Sequence, residues 1–565
     1  MRNFFAYSCQ LLILLVLGGP AARAQVPSWQ TVVGIVPTTG ENSRVSATAV
    51  DAAGTIIVVG EFSGTVSFGA TTLTSAGYLD AFVAKWSSGS GSFIWAYRAG
   101  GTFGDEARAV AINGNNIYIA GSFTSKVAYF GAISMTNGST MNLKDNPSDL
   151  FVAKLTDAGA SAGFVWVKQP AGAYVEECTG LAVNGNQVYV TGNIYGTAPS
   201  PRPGQSGCNG CPNYVAFGTI SLPATMGWGS DGFVAKLDDA GSSATWIWAT
   251  RIGGPYDDYI EAVALNGNSI YYAGSIQGPP FGLPRGTRYT IGKLTDAGST
   301  FTLTWTQGST EMYDFASALV TNGSNVYVAG RFEGTFSYAS TILTSAGRDD
   351  VFVAKLVDTG AASSFAWVKR AGGSFTDYAT ALAVKGSSVY TAGNFGYSYT
   401  SSKVWVAKFA DSGATSNFVW EQQSSTNAYA SALALNGANV WVAGSADIPA
   451  SFGSLSMGGP AGSSAGFLAS LLDATGLATV STVSLSATAL FPNPAHGHAN
   501  VQLPIIPGTA TATLTLLDAL GRTLRTQTAT TNSKTELDLT GLAPGLYALR
   551  VMVGTQTATR RLVVE

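Results

Sequence analysis

Four short phrases recur along this 565-residue chain, each seven times and always in the same cyclic order. One is an apolar strand carrying a tryptophan, at Trp29, Trp95, Trp166, Trp248, Trp305, Trp367 and Trp420. A second is rich in small residues, from "VSATAV" (45–50) and "ARAVAI" (107–112) to "ASALAL" (430–435). A third ends in glycine, as in "IIVVG" (56–60), "IYIAG" (117–121), "VYVAG" (326–330) and "VWVAG" (440–444). The fourth is "DVFVAKL" at 350–356, with copies at 80–86, 149–155 and 231–237 and weaker ones at 289–294, 404–409 and 466–471. The terminal glycines of the third phrase lie 51 to 82 residues apart. Such self-similarity means one supersecondary unit per repeat.

Asn-Gly turns at 113–115, 184–186 and 266–268 join the second phrase to the third, the strongest short-range hairpin signal there is. Each unit therefore reads as about four antiparallel strands. In "VFVAKL" Phe352, Ala354 and Leu356 face one way and Val351 and Val353 the other, so the sheet is apolar on both faces and must be covered on both. Only 11% of residues are charged and 68 are glycine, which suits short strands and tight turns and suits helices badly. Seven such sheets, each sandwiched between its neighbours, predict an all-β chain built as a seven-bladed β-propeller; a stacked solenoid would need polar capping repeats. The small-residue strand is expected innermost, where sheets converge. The lone first Trp strand (28–36) is expected to pair beside 466–471 and close the ring.

The "D-x-F-V-A-K-L", "W", "GG…D…A-x-A" and "V-Y-V-A-G" pattern resembles the seven-bladed β-propeller repeats of exported bacterial proteins, over roughly residues 28–472. The fourth unit departs from it in "PPFGLPRGTRYTIGKL", the sixth is the shortest, and the seventh carries Ser470 in place of lysine. After residue 487 the texture changes to alternating strands and turns, as in "TATLTLLDALGR" and "LAPGLYALRVMV", which predict a small immunoglobulin-like β-sandwich. This stretch resembles the type A C-terminal sorting domain of the type IX secretion system of Bacteroidetes-like bacteria. The residues that carry the likeness are Phe491, Pro492, Asn493 and Pro494, then Gly521 and Arg522 in "DALGR", Gly545 and Tyr547 in "GLAPGLYALRV", and the final "TRRLVVE". The resemblance implies a partner in the type IX secretion machinery, passage across the outer membrane, and a mature protein secreted or held on the cell surface.

The N-terminus reads as an export signal. Arg2 is followed by the apolar run "LLILLVLGG" (11–19) and the small-x-small site "AARAQ", with cleavage expected between Ala24 and Gln25. That run is too short to span a bilayer, and no transmembrane segment is expected in the mature chain. The organisation expected is thus a signal peptide at 1–24, a propeller at 25–472, a linker at 473–487 and a sorting module at 488–565. Cleavage removes Cys9 and leaves Cys178, Cys208 and Cys211. In an oxidising compartment Cys208 and Cys211, in a Gly/Pro-rich insertion, are expected to staple a loop, and Cys178 to be a buried free thiol.

Both histidines, His496 and His498, fall in the C-terminal module, which removes His-dependent triads and metal sites from the repeats. No phosphate-binding, dinucleotide or calcium-loop motif is present, so no cofactor, metal or catalytic residue is assigned. A net charge of −3 without a basic stripe argues against nucleic acid. An acid precedes the small-residue strand in five units (Asp105, Glu176, Asp258, Asp314, Asp377), and Asp80, Asp149, Asp231 and Asp350 open the fourth phrase. Because these follow the repeat rather than break it, they read as turn acids accepting backbone N–H bonds. Recurring Lys85, Lys154, Lys236, Lys293, Lys355 and Lys408 read as edge residues with the amine in water, and the tryptophans as packing between sheets. Tyr397 and Tyr399 are candidates for stacking on sugars.

Three functions fit. The first is a non-enzymatic scaffold binding or adhering to a glycan or protein. The second is a carbohydrate-active hydrolase working through carboxylates alone, which requires a non-repeated acid pair at the channel mouth. The third is a structural surface component with no specific ligand.

Overall fold

In the computed structural model the described residues are 26–565 except 39, 139–147, 173–174, 196–213, 224–228, 255, 278–286, 310–313, 339–340, 399–400, 474–487, 504–510, 532 and 554–555. The export signal with Ala24 and Gln25, the Cys208–Cys211 pair, Tyr399 and most of the 473–487 linker lie outside them. Every regular element among the described residues is a β-strand. The chain divides into two compact units, Met1–Asp473 and Ala474–Glu565.

Among the described residues the first unit shows seven sheets with one shared plan: small-residue strand, glycine strand, "FVAKL" strand, Trp strand, from one edge to the other. Each small-residue strand touches that of the next sheet, and the last (Ala428–Asn436) touches the first (Ser43–Val50), so the arrangement is a closed, propeller-like ring. Strand Asp149–Asp157 shows why the apolar runs are continuous. Leu150 and Val152 enter one apolar core, while Phe151, Ala153 and Leu155 enter the core on the other side. Burying a side chain such as Phe151 contributes about 2–3 kcal/mol, and nearly every position of the strand is buried.

The recurring glycine has a specific cause. Each small-residue strand carries a bulge opposite it, as between Ala107 and Ala109, where Ala107 faces Gly121. A Cβ on Gly121 would lie 1.9 Å from the Glu106 carbonyl oxygen, so no other residue fits.

The first strand, Trp29–Pro37, pairs antiparallel with Ser464–Leu472 and closes the ring, as expected. The register corrects one alignment, however. Lys85 faces Trp95 in the first sheet, whereas Ser470 faces Thr31 in the last. Thr31 therefore occupies the Trp position, and Trp29 lies two residues off it.

The recurring lysines also require correction. They are 1–6% exposed, not edge residues with the amine in water. Lys236 Nζ bonds the Asp296 carboxylate of the next sheet at 2.8 Å and the Gly298 carbonyl at 2.9 Å. The same carboxylate accepts from Tyr189 (2.8 Å) and from the Trp248 indole (3.0 Å). The arrangement repeats at Asp239, Asp358, Asp411 and Asp473, each with a lysine, a tyrosine and a tryptophan from the preceding sheet. At Asp157 only Lys85 and Trp95 take part, because Ile57 stands where the tyrosine would be. The tryptophans thus pack between sheets, as expected, and also donate a bond there.

A hairpin after the glycine strand crosses to the neighbouring sheet in several units. Its phenylalanine packs on the "FVAKL" phenylalanine, as in Phe68–Phe82 (5.1 Å between ring centres), Phe130–Phe151 (4.8 Å) and Phe217–Phe233 (5.2 Å). Cys178 is buried and free, its thiol pushed up to about 12 by burial.

The second unit holds a three-stranded sheet (Ala489–Phe491, His498–Gln502, Lys534–Asp538) and a four-stranded one (Thr511–Leu517, Thr523–Thr530, Gly545–Val553, Gln556–Val564). Residues of both sheets share one apolar core. The side chain of Asn493 donates to the Arg561 carbonyl (2.7 Å) and accepts from the Val563 N–H (2.8 Å), fastening the last strand. Arg522 donates to Asp518 across a turn in which Gly521 has φ +80°, and Tyr547 donates to the Ala543 carbonyl.

Candidate functional site

Bulges re-aim side chains, and here the bulged residues of several sheets converge. Ser46, Thr179, Glu261, Thr380 and Ser431 each stand at a bulge, and all five line one cavity of about 460 Å³ together with Arg44, Tyr378, Tyr397 and Tyr429. Those residues come from five of the seven sheets, so the cavity is the space where the inner strands meet.

Three positions per sheet frame this mouth: the residue before the bulge, the bulged residue, and the residue after the recurring glycine. Most structural positions recur from unit to unit, but these do not. The position before the bulge is Arg44, Glu106, Glu177, Tyr259, Phe315, Tyr378 and Tyr429 in turn. The position after the glycine is Glu61 in the first sheet and Arg331 in the fifth. Acids thus gather on the first four sheets (Glu61, Glu106, Glu177, Glu261) and aromatic residues with Arg331 on the others, while Arg44 faces Glu61 across its strand pair and reaches Ser431 of the last sheet. This non-repeating set escaped the reading of the sequence, which tracked recurrence. The available signal was variation at fixed offsets from an invariant glycine.

On the acidic side Arg108 Nε donates to Glu106 at 2.6 Å, and Tyr195 donates to Glu177 at 3.1 Å. A side recess of about 290 Å³ is lined by Glu61, Glu106, Glu177, Tyr78 and Phe103. Burial pushes the Glu61 carboxyl up to about 7, the adjacent Glu106 adds to this, and Arg44 and Arg108 oppose it. Glu61 and Glu106 are a non-repeated carboxyl pair in hydrogen-bond contact.

The folded chain holds the Glu61 proton above the pH where the unfolded chain, at an ordinary 4.5, releases it. Its stabilising contribution is full below that pH and is lost as pH rises through 7. Glu61→Gln is therefore expected to flatten the fall in stability between about pH 5 and 8 by roughly 1 kcal/mol, discounted for the wet channel. Urea midpoints across that range measure it, and an unchanged slope would refute the raised Glu61 carboxyl.

On the aromatic side Tyr378 and Tyr397 have ring centres 5.8 Å apart, and Tyr397 and Tyr429 6.4 Å apart. Tyr397, the candidate from the sequence, is 40% exposed. Among the described residues no group of three or more His, Cys, Asp or Glu is placed to hold a metal ion.

Asp105, Asp258 and Asp377 do what turn acids do, whereas buried Glu176 meets the Asp149 carboxyl in place of a backbone donor, which corrects the expectation there. Asp105 accepts from Gly101 N–H (2.6 Å) and Ser125 N–H (3.2 Å), and Asp377 from Gly373 (2.6 Å) and Gly396 (2.7 Å). They also meet acids of the preceding sheet. Asp80 and Asp105 close around Gly100, where an added Cβ would lie 2.2 Å from Asp80 Oδ1 and 2.8 Å from Asp105 Oδ2. Burial raises both carboxyls, and the Asp80 charge raises Asp105 further.

Residues 489–565 match the secretion system C-terminal sorting domain family. This places the chain among proteins handled by type IX secretion machinery and delivered outside the cell or to the outer-membrane surface. No curated protein sequence matches the chain. Similar solved structures include a subtype N11 neuraminidase-like protein of A/flat-faced bat/Peru/033/2010 (H18N11), at 8% identity and TM-score 0.33, covering 80% of this chain and 96% of that one. The full extracellular region of plexin A4, domains 1 to 8, aligns at 7% identity and TM-score 0.40, over 94% of this chain and 62% of that one. Among the described residues no helix is long and apolar enough to cross a membrane.

Proposed function

We propose that this chain is an exported seven-bladed β-propeller that binds a saccharide in its central mouth and carries an immunoglobulin-like sorting module. The leader 1–24 is cut between Ala24 and Gln25, Cys208 and Cys211 staple their loop, and the linker 473–487 leads into the module at 488–565. One observation carries the functional reading: in a chain that repeats its structural positions, variation gathers at the mouth, where three tyrosines face polar side chains across about 460 Å³. That volume lies within the range of small-molecule sites, and tyrosine rings supply amphipathic platforms for the faces of sugars. A glycan array with the full chain tests it. Tyr378→Ala with Tyr397→Ala is expected to weaken any positive signal about tenfold or more. No binding across a broad panel would leave a structural surface component as the better account.

A second reading is favoured by the Glu61–Glu106 pair, since a carboxyl near pH 7 suits a general acid. Turnover of aryl glycosides that disappears in Glu61→Gln would establish a hydrolase. A chain that binds but never turns over would remove this reading.

A further inference from the structure

We propose that the saccharide taken by the mouth carries an oxyanion, a carboxylate or a sulfate ester, held by Arg331 and Arg44; this rests on the saccharide-binding reading. The two guanidinium groups are placed for a ligand rather than for the fold. Arg331 lies over the Phe315 ring, its Cζ 4.4 Å from the ring centre. Arg44 donates to the Ser431 hydroxyl at 3.5 Å and stands across its strand pair from Glu61, whose carboxyl its charge lowers. Among the described residues neither forms an ion pair within 4 Å, whereas Arg98, Arg108, Arg251 and Arg370 in the same unit each hold a carboxylate.

Both positive charges act on Tyr378. Arg331 also lines a recess of about 420 Å³ with Arg348, and Tyr397 belongs both to that recess and to the central cavity. Glu333 and Asp349 line the recess too, yet among the described residues neither is paired with a guanidinium. An arginine stacked on an aromatic ring is pre-organised, and its planar fork matches a carboxylate or sulfate edge in a way a lysine cannot. The acids across the mouth would repel a second anionic group, which favours a ligand with its charge at one end.

The test is calorimetric titration of the full chain with a uronic-acid oligosaccharide, a sulfated oligosaccharide, and the neutral backbone of each. The charged ligand is expected to bind at least about tenfold tighter than its neutral backbone, and more weakly as salt rises. Arg331→Gln and Arg44→Gln should each reduce that charged-to-neutral ratio about tenfold. Arg331→Lys, which keeps the charge and loses the fork, should reduce it less, and serves if Arg331→Gln does not fold. Preference for the uronate alone identifies a carboxylate, and for the sulfated sugar alone a sulfate ester. Neutral backbones binding as tightly as charged ones, or a ratio unmoved by Arg331→Gln, would overturn the proposal while leaving saccharide binding intact. Absence of binding by every oligosaccharide would overturn both.

Discussion

Asp296→Ala is expected to lower the stability of the chain by about 3–5 kcal/mol, the range for removing one partner of a buried ion pair. Lys236 and Asp296 have side chains 1% and 2% exposed, and their atoms lie 2.8 Å apart. Without the carboxylate, the Lys236 ammonium keeps the Gly298 carbonyl and a longer contact with Asp238 at 3.8 Å, and the Tyr189 hydroxyl and Trp248 indole lose an acceptor. Burial alone would raise the Asp296 carboxyl; the bonds from Lys236, Tyr189 and Trp248 outweigh it and hold it below the usual carboxylate range. That stabilisation is complete above the unfolded value of 3.8 and fades as pH falls through the lower folded value. Replacing both partners together, as Lys236→Met with Asp296→Leu, should cost much less than Asp296→Ala, because no charge is left uncompensated. Urea unfolding followed by far-ultraviolet circular dichroism measures each variant. A loss below about 1 kcal/mol for Asp296→Ala would mean that the links between sheets do not hold the ring.

The four phrases made the strand order legible because strands apolar on both faces have few places to go. The lysines were misjudged for a physical reason. Recurrence alone suggests an edge residue, and Lys154 and Asp157 lie three residues apart in one strand. In the ring they never meet, since Lys154 reaches Asp239 of the next sheet while Asp157 receives Lys85 of the preceding one. Alternation along a strand cannot show which residue of another sheet faces it. The mouth was hidden for the opposite reason. Glu61, Arg108 and Arg331 have no equivalents in other units, so a search for recurrence passes over them. The bulge that carries Arg108, and those that stand opposite the strands of Glu61 and Arg331, have no sequence mark beyond the glycine facing them.

The junction between the last and first sheets supplies the second large effect. Every member of the link is replaced there at once. Ser470 stands for the lysine, Thr31 for the tryptophan, Trp441 for the tyrosine and Ser88 for the aspartate. In their place Trp86 and Trp441 pack edge to face, 4.8 Å between ring centres, within an apolar core that includes Val58, Phe82 and Leu468. The side chain of Asn436 adds a bond to the Gly54 carbonyl at 2.7 Å. Loss of both charges together follows from electrostatics, since either alone would be buried without a partner. Ser470 is 2% exposed. Ser470→Lys alone is therefore expected to destabilise by about 3–5 kcal/mol, like any uncompensated buried ammonium. Adding Ser88→Asp should recover part of that loss, with a favourable coupling of at least about 1 kcal/mol in a double-mutant cycle. Coupling below about 0.5 kcal/mol would show that Ser88 and Ser470 are not placed as the six charged links are, and that the junction differs in geometry as well as in composition.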